Sequence, residues 1–225
     1  MQRRLLLIRH GRVDFDSAEF RDTPRGRQWD APLDERGREQ ADLLTVRLMS
    51  LSAEPPAAVF VSPFRRCLQT AEPYLRAAAL SPTVDEGLGE VFVGEWEGVR
   101  FEDLFAANSD LIRQRIHDQR PMFNLAPGGE TGAALRARVV PAIERLLGAV
   151  EDGRTGNVIM MTHGGVINAY LGHLMGLDQD MFFIPENTSV NTVDVDGATR
   201  RMRFINDVAH LAFPGVFGPP APADR

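Results

Sequence analysis

The stretch Leu5-Leu6-Leu7-Ile8-Arg9-His10-Gly11 sets four bulky apolar residues directly before a guanidinium, an imidazole and a glycine. A short unbroken apolar run that ends in a turn reads as a strand buried on both faces, the form found in parallel sheets. Two further stretches repeat the arrangement. Ala58-Val59-Phe60-Val61 leads into Ser62-Pro63-Phe64-Arg65-Arg66, and Val158-Ile159-Met160-Met161 leads into Thr162-His163-Gly164-Gly165. Each is followed by a helical pattern, so the expected fold is α/β, a three-layer α/β/α sandwich around a mostly parallel sheet. Ligands of such sheets bind in the crevice beyond the carboxyl ends of the strands. The pattern therefore brings Arg9, His10, Arg66 and His163 to one spot, a set of cations suited to a phosphoryl group.

Outward from these strands, residues 12–33 show no period and read as an irregular loop whose Phe15, Phe20 and Trp29 either line a pocket or pin the loop to the core. Asp34 caps a helix over 35–51, with Leu44, Leu48 and Leu51 on one face. Ser62 is the expected cap of a second helix, with Pro63 at its first position and Arg66 in its first turn, running to about Ala79. A third strand is expected near 82–86, then a Gly-rich loop over 87–98. Residues 99–126 are partly helical and break at Pro121, which makes them a helical cap inserted into one domain spanning 1–225. Pro127-Gly128-Gly129-Glu130 opens a helix with Leu135, Val139, Ile143, Leu146, Leu147 and Val150 on its core stripe, kinked or bulged at Pro141. Residues 164–175 are expected as helix, and 190–205 as a hairpin with a primed turn at Asp196-Gly197. The Pro- and Gly-rich tail, about 208–225, is expected to pack loosely.

Bulk composition excludes several classes. Of 225 residues, 44% are hydrophobic and 25% charged, a balance that supports a sizeable core. The net charge is −6, and all 25 basic residues are arginine. An acidic chain lacks the basic face that general nucleic-acid binding needs, and against that background a local Arg/His cluster stands out. The N-terminal apolar run of four after Arg3 and Arg4 is too short for a signal segment or a membrane span. The single cysteine, Cys67, allows no internal disulfide and fits a reducing, cytoplasmic setting. Beside Arg66 it reads as a small buried helix residue rather than a redox-sensitive thiol.

Arginine holds a phosphoryl group in a bidentate fork and stays charged at any physiological pH. A histidine beside it serves as base, metal ligand or covalent nucleophile, and Gly11 lets the backbone approach a ligand. Arg66 adds a guanidinium to a helix N-terminus, and His163 stands where glycine amides, Gly164 first, face an anion. Metal binding is the chemical rival, but there is no His pair at i, i+4, no Cys cluster and no Asp-x-Asp run. No metal and no cofactor are expected. His117, His173 and His210 are assigned no chemistry.

Taken together these motifs resemble the histidine phosphatase superfamily, the phosphoglycerate mutase-like family. The resemblance runs in family order through Arg9-His10-Gly11, the segments 32–41 and 62–71, Gly94-Glu95-Trp96-Glu97-Gly98, Pro127-Gly128-Gly129-Glu130, Thr162-His163-Gly164-Gly165 and Asn206-Asp207. It implies that His10 is the nucleophile and carries the phosphoryl group as a phosphohistidine. Arg9, Arg66 and His163 would clamp the non-bridging oxygens. Glu90 would protonate the leaving oxygen and then activate water, with Glu86, Glu95 and Glu97 as nearby rivals. Where many members of the family place an asparagine on the phosphate, this chain has Ser17, which is left out of the site. Arg12 is expected to face solvent.

Phosphatase-type members resemble this chain in the Gly-Glu-Trp-Glu-Gly segment. Mutases carry an Arg-His-Tyr-Gly run after the acid, where this chain has Val91-Phe92-Val93-Gly94. The expected activity is metal-independent hydrolysis of a small-molecule phosphomonoester. A mutase-type phosphotransferase and a non-catalytic phospho-ligand binder are the alternatives. The substrate-determining residues are expected among Phe15, Phe20, Trp29, Phe101, Phe105, Met122 and Phe123.

Overall fold

The computed structural model describes residues 3–51, 54–150 and 156–213. Its main sheet has six strands. β1 (Arg3–Arg9), β4 (Ala58–Val61) and β6 (Val158–Thr162) are the three apolar runs. With β5 (Thr83–Val84), β7 (Val190–Asp196) and β8 (Thr199–Asp207) they stand in the order β5-β4-β6-β1-β7-β8. β5, β4, β6 and β1 run parallel, and β7 and β8 complete the sheet antiparallel. The register sets Arg9 opposite Thr162 and Val61 opposite Met161. Three strands therefore end at one level, and the residues after them, His10, Ser62 and His163, emerge side by side.

Alternation explains the unbroken apolar runs. Leu5, Leu7, Phe60 and Met160 face one core, shared with α5 (Gly132–Gly148) and α6 (Gly164–Met175). Leu6, Ile8, Val59, Val61 and Met161 face the other, shared with α1 (Glu35–Leu51) and α2 (Arg65–Ala77). The result is a three-layer sandwich. Each buried Leu or Ile contributes about 1.5–3 kcal/mol by leaving water, so Leu7→Ala is expected to cost roughly 2–5 kcal/mol. Asp34 caps α1 by accepting from the Gly37 amide at 2.7 Å. The stripe on α5 is buried as expected, and that helix continues across Pro141. Between the Gly-rich loop and Pro127 lie α3 (Phe101–Ala107) and α4 (Ser109–His117); the side chains of Phe101 and Phe105 lie outside the described residues.

The structure corrects several local expectations. Residues 12–33 are not structureless, because β2 (Glu19–Thr23) and β3 (Gly26–Asp30) form an antiparallel hairpin with Phe20 opposite Trp29. Ser62 does not cap α2. Pro63 and Phe64 stay outside the helix, and the first helical amide, on Arg65, donates to Asp30 Oδ1 of β3 at 2.9 Å. α5 starts at Gly132, after Pro127–Glu130, and its cap is the Thr131 hydroxyl, which accepts from Ala134 N at 3.1 Å. The hairpin turn is Gly197-Ala198, one residue later than expected, with Gly197 at φ 54°. The chain after Asp207 does not fray at once: α7 (Ala209–Ala212) follows and buries His210 to 1% exposure. The rest of the expected tail, 214–225, lies outside the described residues.

Candidate active site

His10 stands at the end of β1, 6% exposed. Its amide donates to Thr162 O at 3.0 Å, which ties it to the neighbouring strand end. Its Nδ1 lies 2.8 Å from Gly11 O. A carbonyl only accepts, so Nδ1 carries the proton and, in a neutral ring, Nε2 keeps its lone pair. The ring is neutral: burial holds His10 well below the ordinary imidazole range, and Arg66 and Arg9 push in the same direction. A neutral imidazole with its tautomer fixed is a competent nucleophile.

His163 lies edge-on to His10, with ring centroids 5.3 Å apart. It is fully buried, and burial followed by Arg66 keeps it well below the imidazole range. Its Nε2 is 2.7 Å from Ser62 Oγ. The Ser62 hydroxyl, misassigned to capping by its local sequence, thus orients a histidine about a hundred residues away. Phe64 packs against the same ring at 5.0 Å. The charge of Arg66 lies 4.5 Å from the Phe64 ring and 5.9 Å from that of Trp29, and Asp30 is 3.7 Å from its Nη1. Arg66 and Asp30 are both buried, and burial outweighs the guanidinium in raising the Asp30 carboxyl. The hairpin that sequence reading missed therefore supplies both the wall and the counter-charge of Arg66. Arg9 donates through Nη1 to Pro185 O, and its buried Nε has no hydrogen-bond partner among the described residues. A Cβ on Gly164 would lie 3.8 Å from that Nε, so the first turn of α6 stands against Arg9.

Glu90 reaches the same place from the Gly-rich loop. A Cβ on Gly165 would lie 2.5 Å from Glu90 Oε1, so its carboxylate rests on the bare backbone of α6, two residues beyond His163. Oε1 also accepts from Val91 N at 2.9 Å. The rival carboxylates are engaged elsewhere. Both oxygens of Glu97 accept backbone amides, from Trp29 and Val93, Glu86 binds Arg21, and Glu95 is exposed. The loop bearing Glu90 is stapled from behind. Arg138 of α5 grips Glu130 with two nitrogens and donates to Glu90 O at 3.0 Å, while Glu130 exchanges hydrogen bonds with Phe92. Glu130 closes the Pro127–Glu130 motif, so its position was legible in the sequence although its task was not.

Arg9, His10, Arg66, Glu90, His163 and Gly164 thus gather at the carboxyl ends of β1, β4 and β6. Gly11 is also where α1 approaches the strand end. A Cβ there would lie 2.7 Å from Gly37 O, so α1 packs against the bare backbone of Gly11. Arg12 is largely exposed and pairs with Asp34 at 2.9 Å. Ser17 Oγ donates to Asp14. Phe15 stacks on Trp29 at 4.4 Å, and the Arg100 guanidinium lies 4.3 Å from Phe15, forming an aromatic and cationic wall next to Arg66. Phe20 is 46% exposed. Cys67 is fully buried, as expected, with its thiol pushed up to about 12 by burial. Among the described residues no group of three or more His, Cys, Asp or Glu is arranged to hold a metal ion, and no helix is long and apolar enough to cross a membrane.

Comparison with known proteins places the fold and the family. A glucosyl-3-phosphoglycerate phosphatase of Mycolicibacterium vanbaalenii is 30% identical over 183 residues, covering 79% of this chain and 76% of that protein. The alpha-ribazole phosphatase of Shigella flexneri superposes with a TM-score of 0.68 at 25% identity, over 91% of this chain and 96% of that one. A mycobacterial glucosyl-3-phosphoglycerate phosphatase in complex with inorganic phosphate shares the fold, with a TM-score of 0.71 at 24% identity over 92% and 99% of the two chains. The family model described as histidine phosphatase superfamily, branch 1, matches residues 5–208. With its paired histidines and arginines at the strand ends, this chain belongs to the histidine phosphatase superfamily.

Proposed function

We propose that this protein is a phosphatase that hydrolyses a small-molecule phosphomonoester through a phosphohistidine on His10. The carrying observation is the His10 ring: Nδ1–H is fixed on Gly11 O and Nε2 has no hydrogen bond among the described residues, in a neutral imidazole flanked by two guanidiniums. In the first half, Nε2 forms a bond to phosphorus as the bond to the leaving oxygen breaks. Glu90, protonated at that moment, gives its proton to that oxygen. Arg9 and Arg66 neutralise the non-bridging oxygens, and His163 donates an N–H. Phosphoryl transfer depends mainly on such in-line positioning and charge stabilisation. The Nδ1–H on Gly11 O also steadies the ring when phosphorylation makes it cationic. In the second half, the Glu90 carboxylate takes a proton from water, whose oxygen attacks phosphorus. The N–P bond breaks, and phosphate, protonated Glu90 and neutral His10 are regenerated.

Segment 99–126 and the β2–β3 hairpin, with Phe15 stacked on Trp29, form the cap that selects the leaving group, with Phe15, Trp29, Met122 and Phe123 as its contacts. Because a relative named glucosyl-3-phosphoglycerate phosphatase is 30% identical over 79% of this chain, that ester belongs in the first substrate panel. The test is turnover of a phosphomonoester panel in the presence of a chelator, with His10→Ala and Glu90→Gln in parallel. Activity in chelator, lost in His10→Ala, is expected; loss in chelator restored by a divalent ion would overturn the metal-independent reading. Transfer to 3-phosphoglycerate in preference to water would make the enzyme a mutase.

A further inference from the structure

The loop Pro185–Ser189, between α6 and β7, wraps the end of β1. Arg9 N donates to Ser189 O at 3.3 Å, and Arg9 Nη1 donates to Pro185 O. Thr188 N and Asn187 Nδ2 both donate to His10 O, at 3.3 and 3.1 Å. One short loop therefore seats both the nucleophile and the arginine beside it. Thr188 adopts φ 57°, a left-handed conformation that β-branched residues seldom take. Such a residue persists only where its surroundings hold it.

What holds it comes from α7. The Thr188 hydroxyl donates to Asn187 O at 2.7 Å, which uses its only hydrogen. It must then accept from His210 Nε2, 3.0 Å away, so Nε2 carries the imidazole proton. Burial brings His210 down to about 4, with Asp207 opposing and Arg47 assisting, so the ring is neutral at ordinary pH. Its buried Nδ1 has no hydrogen-bond partner among the described residues. An apolar side chain would fill the same space without a bare ring nitrogen in the core. Packing alone does not account for an imidazole here.

We propose that His210 is a positioning residue: through its hydrogen bond to Thr188 it locks the 185–189 loop and thereby the placement of His10 and Arg9. The inference rests on His10 being the nucleophile. Four variants test it: His210→Leu, His210→Gln, Thr188→Val and the double variant His210→Leu/Thr188→Val. The readouts are the single-turnover rate of phosphoenzyme formation with p-nitrophenyl phosphate, steady-state kcat and KM, and melting temperature. His210→Leu and Thr188→Val should each slow phosphorylation about tenfold or more, the size expected when a reacting group shifts by a fraction of an ångström. The double variant should be no slower than either single one. His210→Gln, whose side-chain amide can reach Thr188 as a donor, should recover most of the rate.

A folded Thr188→Val enzyme within about twofold of wild type overturns the inference, as do additive losses or a Gln variant no better than Leu. If His210→Leu does not fold, the isosteric Thr188→Val decides alone. Wild-type enzyme that traps no phosphate on His10 defeats the reading of the site itself. Normal trapping in wild type with unaffected variants defeats only the role of His210.

Discussion

Gly165→Ala separates the placement of Glu90 from the stability of the fold. The new Cβ would lie 2.5 Å from Glu90 Oε1 and 3.4 Å from both Phe123 Cζ and Val91 Cγ1. The two carbon contacts are tolerable, but the oxygen must retreat by about 1 Å to reach ordinary van der Waals distance. Because it is the end of a flexible side chain, that movement costs the fold little. Replacing a helical glycine by alanine offsets it by about 0.5–1 kcal/mol. Melting temperature should therefore hold or rise. Catalysis should not, since a 1 Å misplacement of a reacting group is worth on the order of 100-fold. The assay is kcat/KM for an alkyl phosphate and for p-nitrophenyl phosphate, because kcat/KM reports the first, phosphorylating half of the cycle. The alkyl ester, whose leaving oxygen needs protonation, should lose about 100-fold, and the aryl ester less than about tenfold. Equal losses for both esters, or an unchanged alkyl rate, would refute the assignment of Glu90 as the acid.

Arg66→Lys keeps the charge but loses the planar fork, and kcat/KM should fall on the order of 100-fold; a loss under about threefold would contradict the clamp. Stability should fall on acidification. His10 and His163 are held well below the imidazole range by burial and Arg66, and His210 at about 4 by burial. The unfolded chain takes up those protons as pH falls through about 6.5 and the folded chain does not, so each ring removes up to about 1.4 kcal/mol per pH unit below that point. Asp30 and Glu97, whose carboxyls burial raises, oppose this only nearer the carboxylate range. Melting temperature should drop from pH 7 to pH 5, and a flat profile would contradict neutral buried rings. Cys67, with its thiol at about 12, should resist iodoacetamide in the native enzyme and react on unfolding; rapid native labelling with loss of activity would show an exposed, reactive thiol instead.

The strands β1, β4 and β6 were legible because burial on both faces writes itself as an uninterrupted apolar run; the order of the sheet was not. The convergence of Arg9, His10, Arg66 and His163 follows from the same fact, since their positions are set by strand ends rather than by loops. What was not legible depends on contacts far apart in the chain. The β2–β3 hairpin has no alternating apolar face; it is held by Glu97 on the Trp29 amide and by Asp30 on the start of α2. Ser62 before Pro63 obeys the local rule for a cap, yet His163 claims its hydroxyl. Spacing could not choose among Glu86, Glu90, Glu95 and Glu97, because only the folded chain sets the Glu90 carboxylate against the bare backbone of Gly165, two residues beyond His163. His210 lies inside the Pro- and Gly-rich stretch, about 208–225, that reads as loose, and only its partner Thr188 reveals why it is buried.

The central claim is a covalent bond between His10 Nε2 and phosphorus. Rapid quenching of the enzyme with a phosphomonoester, followed by peptide mapping, tests it directly. The account predicts one acid-labile, base-stable phosphoryl group on the peptide containing His10, formed and lost at rates that match turnover and absent in His10→Ala. Acid-stable phosphate on another residue, or full turnover by His10→Ala, would contradict it.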